Sequence, residues 1–242
     1  MAENTDKKTK KRKFSLKKFF KVSLYVILAY FVWTVVITLV YSKLNPPVTL
    51  LMIQRCTEQL FSSSRKVRME KTWVSYENIS PNMVLAVIAA EDNNFPNHKG
   101  FDYQAIAYAR KVNKQRHKKA FGASTITQQT AKNVFLWIQK SYIRKGLEAW
   151  HTVLMEQFWP KRRIMEVYLN VIEFGDGIYG VEAASQHFFH KHASQLSKHE
   201  AALLASVLPS PLKRDASHPS LYVKKRALMI QSKMNIIGKV RI

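Results

Sequence analysis

Glu91 and Asp92 stand side by side at the end of an apolar stretch. They open the loop Asn93-Asn94-Phe95-Pro96-Asn97-His98-Lys99-Gly100-Phe101-Asp102. A carboxylate at a helix C-terminus faces the negative end of the backbone dipole, which raises its proton affinity and suits a general base. Taken alone, the plainer reading stands first: solvated helix-end charges and a histidine that caps a turn. The second set is Gly122-Ala123-Ser124-Thr125-Ile126-Thr127-Gln128-Gln129-Thr130-Ala131-Lys132-Asn133. A helix starting here exposes backbone amides that suit an anion, with Gln128, Gln129 and Lys132 on one face. An ordinary capped helix explains Ser124 and Thr125 as well, but explains two glutamines beside a lysine less readily. The third set is Arg144-Lys145-Gly146-Leu147-Glu148, whose spacing lets Glu148 share a face with both cations. In isolation this is a helix ion pair worth about 0.3–0.5 kcal/mol. It is the combination of the three sets that points to chemistry.

Helices must position these residues. Ser80-Pro81 is an N-cap followed by proline at the first helical position, and Met83, Val84, Val87 and Ile88 line one apolar face up to Glu91. The pattern predicts further helices over 50–61, 102–112, from Ser124 or Thr125 onward, and over 143–159, 161–170 and 221–237. Thr125 with Gln128 and Ser197 with Glu200 have capping-box spacing; the latter opens a helix running through Leu208. Ile164, Val167, Tyr168 and residues 201–208 fall at core spacing. Gly175, Gly177 and Gly180 read as turns around Glu173 and Asp176, and His187, His190 and His192 as surface imidazoles. No run alternates over strand length, and no repeat of 20 to 50 residues recurs. The fold class is mainly α.

The chain has 242 residues with 47% hydrophobic content, enough for one sizeable domain and against wholesale disorder. A single cysteine, Cys56, excludes an intramolecular disulfide framework or a cysteine zinc cluster. The net charge of +23 asks for a polyanionic partner: nucleic acid, anionic lipid or a phosphate-bearing substrate. Residues 1–21 carry +7, and no charge appears between Lys21 and Lys43. Val22–Val40 is therefore long enough to span a bilayer, and longer than the apolar stretch of a cleavable signal. The positive-inside rule keeps the N-terminus cytoplasmic and places the remaining residues, still at +16, outside, against a nucleic-acid role. The expected organisation is a basic tail over 1–21, an anchor over 22–42, a membrane-proximal connection over 43–79 and a catalytic domain over 80–242.

In order along the chain, EDNNFPNHKGFD, GASTITQQTAKN, RKGLE, KRRIMEVYLNVIEFGDGIYGVEAAS and EAALLASVLPSP resemble the motifs of the peptidoglycan glycosyltransferase family. The likeness runs from about Ser80 to Pro211, and the chain leaves no room for a transpeptidase domain. The resemblance implies a lysozyme-like α-helical domain behind a single N-terminal transmembrane helix. It implies an enzyme that polymerises lipid II, the undecaprenyl-diphosphate disaccharide-pentapeptide, into glycan strands. By that resemblance Glu91 is the general base, and Glu148 is the second essential glutamate, which assists near the leaving group or holds the site's geometry. Ser124, Gln128, Gln129, Lys132, Arg144 and Lys145 fall at positions that bind sugars and diphosphates, and Asp92, His98, Thr125 and Lys140 are counted with the substrate-binding set. Lys140 stands where the family often has arginine, keeping the charge without the bidentate fork. Ala123 replaces a common second glycine.

The resemblance further implies a divalent cation, Mg2+ or Mn2+, bridging the substrate diphosphate, with no protein ligands assignable and no organic cofactor. Expected partners are lipid II, the nascent strand, the bilayer and other cell-wall synthesis or division proteins, with no nucleic acid. The expected location is the bacterial cytoplasmic (inner) membrane with the catalytic domain in the periplasm. Two other readings are a lysozyme-like glycan hydrolase and a non-catalytic, membrane-anchored cell-wall binding module. The first has no use for so many cations, and the second leaves Glu91 and Glu148 unexplained.

Overall fold

The computed structural model describes residues 16–63, 65–115 and 122–242. Contacts divide the chain into two units, Met1–Ile37 and Thr38–Ile242. Helix α1, Leu16–Tyr41, makes up the described part of the first and continues into the start of the second; its most apolar window has a mean hydropathy of 2.2, and it is long and apolar enough to cross a membrane. It begins earlier than Val22 because Lys17, Lys18 and Lys21 end the apolar run without breaking the helix.

The second unit is mainly α, as the spacing predicts. After α2 (Leu50–Leu60) come α3 (Pro81–Glu91), α4 (Tyr103–Gln115), α5 (Ile126–Phe135) and α6 (Tyr142–Phe158). Then follow α7 (Lys161–Val171), α8 (Val181–Phe189), α9 (Lys198–Val207) and α10 (Leu221–Ile237). The anticipated caps are present: Ser80 accepts from the Asn82 amide, and Thr125 with Gln128 and Ser197 with Glu200 form reciprocal capping boxes.

Residues 43–79, expected as a connection, instead pack as part of the unit. Leu51 and Met52 of α2 enter the core, and the Arg163 guanidinium donates to the carbonyls of Tyr41 and Leu44 at 3.1 and 2.7 Å. Those carbonyls lie at and just beyond the end of α1, where the helix leaves them without internal partners.

Two features escaped the sequence pattern. Helix α8 starts at Gly180 with no side-chain cap, so it lacks the usual start signal. A small sheet of β1 (Glu70–Lys71), β2 (Glu173–Gly175) and β3 (Ile178–Tyr179) has order β1-β3-β2, with β1 parallel and β2 antiparallel to β3. Strands of two or three residues are too short to show alternation.

Helix α3 explains where the site lies. Met83, Val84, Ala86, Val87, Ile88 and Ala89 are all buried, so the helix is apolar around its circumference and must run through the core. It packs against α9 and α10, while α5 packs against α6 and α7. The C-terminus of α3 therefore delivers Glu91 from inside the domain.

Gly177 has φ +74°, and an added Cβ would sit 2.4 Å from the Arg68 carbonyl oxygen, where β1 approaches the β2–β3 turn. Gly177→Ala is expected to cost about 2 kcal/mol, lowering the melting temperature by roughly 4–8 °C. Thermal denaturation of the detergent-solubilised chain checks this, and an unchanged midpoint would show that the turn yields without strain.

Candidate active site

Glu91 ends α3 with its side chain 14% exposed. Its Oε2 accepts a 3.0 Å hydrogen bond from Gln129 Nε2 of α5, and its Oε1 lies 3.5 Å from Arg226 Nη2 of α10. The fully buried Tyr168 fixes the Gln129 amide by donating from its hydroxyl to Gln129 Oε1 at 3.4 Å. Burial pushes the Glu91 carboxyl above its ordinary range, while the Gln129 hydrogen bond and the Arg226 and Lys132 charges restrain that rise. Desolvation, rather than the helix dipole invoked from sequence, is the main cause.

From Glu91 the wall continues past Ser124 into a larger cleft. A hollow of about 230 Å³ is lined by Glu91, Asp92, Ser124, Thr125, Asp102 and Lys233. Through residues 122–124 it shares a wall with a cavity of about 640 Å³ that is lined by Gln128, Gln129, Lys132, Lys140, Arg144, Lys145 and Glu148. Helix α6 starts at the Ser141 N-cap, which places Arg144, Lys145 and Glu148 on its first two turns, facing Lys132 of α5. Glu148 is buried: Arg144 Nη1 is 2.9 Å from its Oε2, and Lys145 Nζ bonds its Oε1. Burial lowers the proton affinity of Lys132, and the Glu148 charge restores part of it. The cleft thus gathers four cations around one fixed carboxylate.

Asp92 and His98 sit differently from the rest. Counted with the substrate-binding residues, they instead have their polar atoms occupied within the protein. His98 Nδ1 accepts from the Gly100 amide at 3.1 Å, which places the ring proton on Nε2, 3.0 Å from both Asp92 oxygens. Asp92 Oδ2 also accepts the Ile126 amide at 2.9 Å, the first N–H of α5. Gly100 has φ +86°, and its carbonyl accepts from Thr125 Oγ1 at 2.7 Å. Together these bonds brace the Glu91 loop against the start of α5. Thr125 and Gln128 are tied into the same brace by their capping box, although both reach the cleft wall.

Sequence reasoning missed Arg226 and Tyr168 as neighbours of Glu91 and of its partner Gln129. Tyr168 was read as core, and nothing local marks Arg226 among the six Lys and Arg residues of α10 and the tail beyond it. Among the described residues, no three His, Cys, Asp or Glu side chains are grouped to hold a metal ion. Both Glu148 oxygens are held by Arg144 and Lys145, so the cleft donors do not fit a protein-bound divalent cation. His187, His190 and His192 lie away from this cleft, and His192 pairs with Glu182 at 2.8 Å.

Fold and site together define a class: a helical domain that follows an apolar helix in the chain, with a largely buried carboxylate in a hollow adjoining a cationic cleft. The family model described as Transglycosylase matches residues 57–235, so the chain belongs to the transglycosylase family. It is 48% identical over 200 residues to a biosynthetic peptidoglycan transglycosylase of Xanthomonas euvesicatoria pv. vesicatoria, covering 83% of this chain and 80% of that one. A protein of the same name from Shewanella oneidensis is 46% identical over 89% of this chain and 91% of its own length. Its namesake from Bacteroides thetaiotaomicron is 45% identical over 94% and 91%.

Asp92→Ala would leave the His98 Nε2–H and the Ile126 amide without acceptors. It is expected to destabilise the domain by about 2–4 kcal/mol, with Asp92→Asn costing less because one oxygen remains. Denaturant unfolding of the two variants checks the order; equal, small losses would remove the brace.

Proposed function

We propose that the chain polymerises lipid II into β-1,4-linked glycan strands by inverting glycosyl transfer. The observation that carries this reading is a largely buried carboxylate, Glu91, in a hollow that shares the wall of residues 122–124 with a cleft where Lys132, Arg144 and Lys145 converge, in a member of the transglycosylase family. A sugar hydroxyl is a poor nucleophile near neutrality, so a positioned base is needed. Glu91 takes the proton of the acceptor GlcNAc 4-hydroxyl as that oxygen bonds to the anomeric carbon of the growing donor chain. The bond from that carbon to the undecaprenyl diphosphate breaks, and the electron pair leaves with the diphosphate. One displacement at an α-linked donor gives the β-linked product.

Diphosphate is already a good leaving group and needs countercharge more than a strong acid. Lys132, Arg144 and Lys145 supply it, with Lys140 at the rim; Glu148 holds Arg144 and Lys145 in place. Ser124, Gln128 and Gln129 offer hydrogen bonds to the sugars, and α1 keeps the domain at the bilayer that holds the substrate. In this reading the N-terminus is cytoplasmic, the membrane is the cytoplasmic one, and the domain faces the periplasm. Any divalent cation would ride on the substrate diphosphate, and the protein groups above account for each step without it.

Incubating the detergent-solubilised chain with lipid II should give long glycan and one undecaprenyl diphosphate released per bond formed. Shortening of preformed glycan, with no polymer made, would point to a hydrolase instead. Lys132→Met should lower kcat/KM on the order of 10²-fold.

The pH dependence has a definite sign. Glu91 works as a base only when ionised, and its proton affinity is raised, so activity is present above that raised value and lost as pH falls through it. The acid limb of the rate profile should therefore lie above the ordinary glutamate value of about 4.3. A limb at the ordinary value would mean that the base is solvated.

A further inference from the structure

We propose that Arg226 is a positioning residue for Glu91: its guanidinium holds one carboxylate oxygen while Gln129 holds the other, keeping the base ionised and aimed into the hollow beside the cationic cleft. The inference rests on the transferase reading and assigns a task to a helix that the catalytic motifs leave out. Helix α10 buries Val223, Ala227, Ile230 and Met234 against the domain, and it packs on α3 and α9. Arg226 lies three residues after Val223 and four before Ile230, so it borders that buried face. Its side chain is 28% exposed and its Nε is buried without a hydrogen-bond partner, while Nη2 reaches Glu91 Oε1 at 3.5 Å. Among the described residues, it is the basic group paired directly with the carboxylate.

The groups around the carboxylate come from several elements. From α5, Gln129 donates to Oε2 and Lys132 contributes a nearby positive charge. Asp92, next in the chain, contributes a negative charge, but its oxygens are bound to His98 and the Ile126 amide. Tyr168 of α7 stands behind Gln129 as a neutral hydroxyl. Across the small hollow stand Asp102 and the exposed Lys233 of α10. Burial opposes the charged form of Glu91, so losing the one cation in direct contact should leave the carboxylate protonated over part of the working pH range. The two donors also leave each oxygen a free lone pair, so the base can accept the sugar proton without first shedding a partner.

The test is the pH–rate profile of lipid II polymerisation by the full chain, comparing wild type, Arg226→Met and Arg226→Lys. Arg226→Met should move the acid limb to higher pH and lower the rate at pH 6 roughly tenfold or more, with the alkaline plateau kept within about threefold. The KM for lipid II should stay within about threefold, and Arg226→Lys should restore most of the acid-side rate. If the methionine variant does not fold, the lysine variant decides, since it should keep the limb within the wild-type range. An equal loss at every pH would assign Arg226 to packing and overturn the proposal. A rise in KM with an unmoved limb would make it a substrate contact and overturn the proposal equally. No polymer from folded wild-type protein would instead overturn the transferase reading on which this inference stands.

Discussion

Burying a carboxylate while keeping it able to accept a proton is the constraint on which the rest of this structure depends. Removing Glu91 from water disfavours its charged form, and an unpaired buried charge costs several kcal/mol. Three elements meet that cost. The apolar circumference of α3 carries the residue to the edge of the core, α5 offers the Gln129 amide, and α10 offers Arg226. The orientation of Gln129 depends in turn on the Tyr168 hydroxyl. The Glu91 carboxylate is thus held by side chains from four helices, and its proton affinity is a property of their packing.

The other end of the cleft solves the opposite problem, holding cations together. Arg144, Lys145, Lys132 and Lys140 would repel one another, and Glu148 sits among them with both oxygens engaged by its helix neighbours. Its burial makes those contacts stronger than a surface pair of the same spacing. In the proposed reaction a diphosphate leaving group then meets a preorganised positive surface, with little rearrangement during bond breaking. Between the two ends, the brace of Asp92, His98, Gly100 and Thr125 fixes the start of α5 to the Glu91 loop.

Much of this was legible in the sequence where the determinants are local. Proline after Ser80 and the Thr125–Gln128 and Ser197–Glu200 pairs mark helix starts within four residues, and each cap forms. Glu91, Gln129, Lys132, Arg144, Lys145 and Glu148 lie in short contiguous motifs, and the fold gathers them along one continuous wall. What was not legible depends on distance or on side-chain direction. Arg226 meets Glu91 across 135 positions, with no pattern on α10 to separate it from its basic neighbours. Asp92 follows Glu91 in the chain, yet its oxygens bond His98 and the Ile126 amide while those of Glu91 meet Gln129 and Arg226; residue type and spacing alone do not fix that divergence. The strands escaped because pairs and triplets of residues carry no periodicity, and Gly177 makes their turn through a close approach that only the third dimension reveals.

In the proposed reaction Glu91 serves bond formation and not substrate binding. The most direct measurement compares wild type and Glu91→Gln in one preparation, reading lipid II affinity and the single-turnover rate of glycan bond formation together. The account expects affinity to remain within about threefold while the rate falls at least 10²-fold, as loss of a general base requires. Parallel loss of affinity, or bond formation at near the wild-type rate, would contradict it.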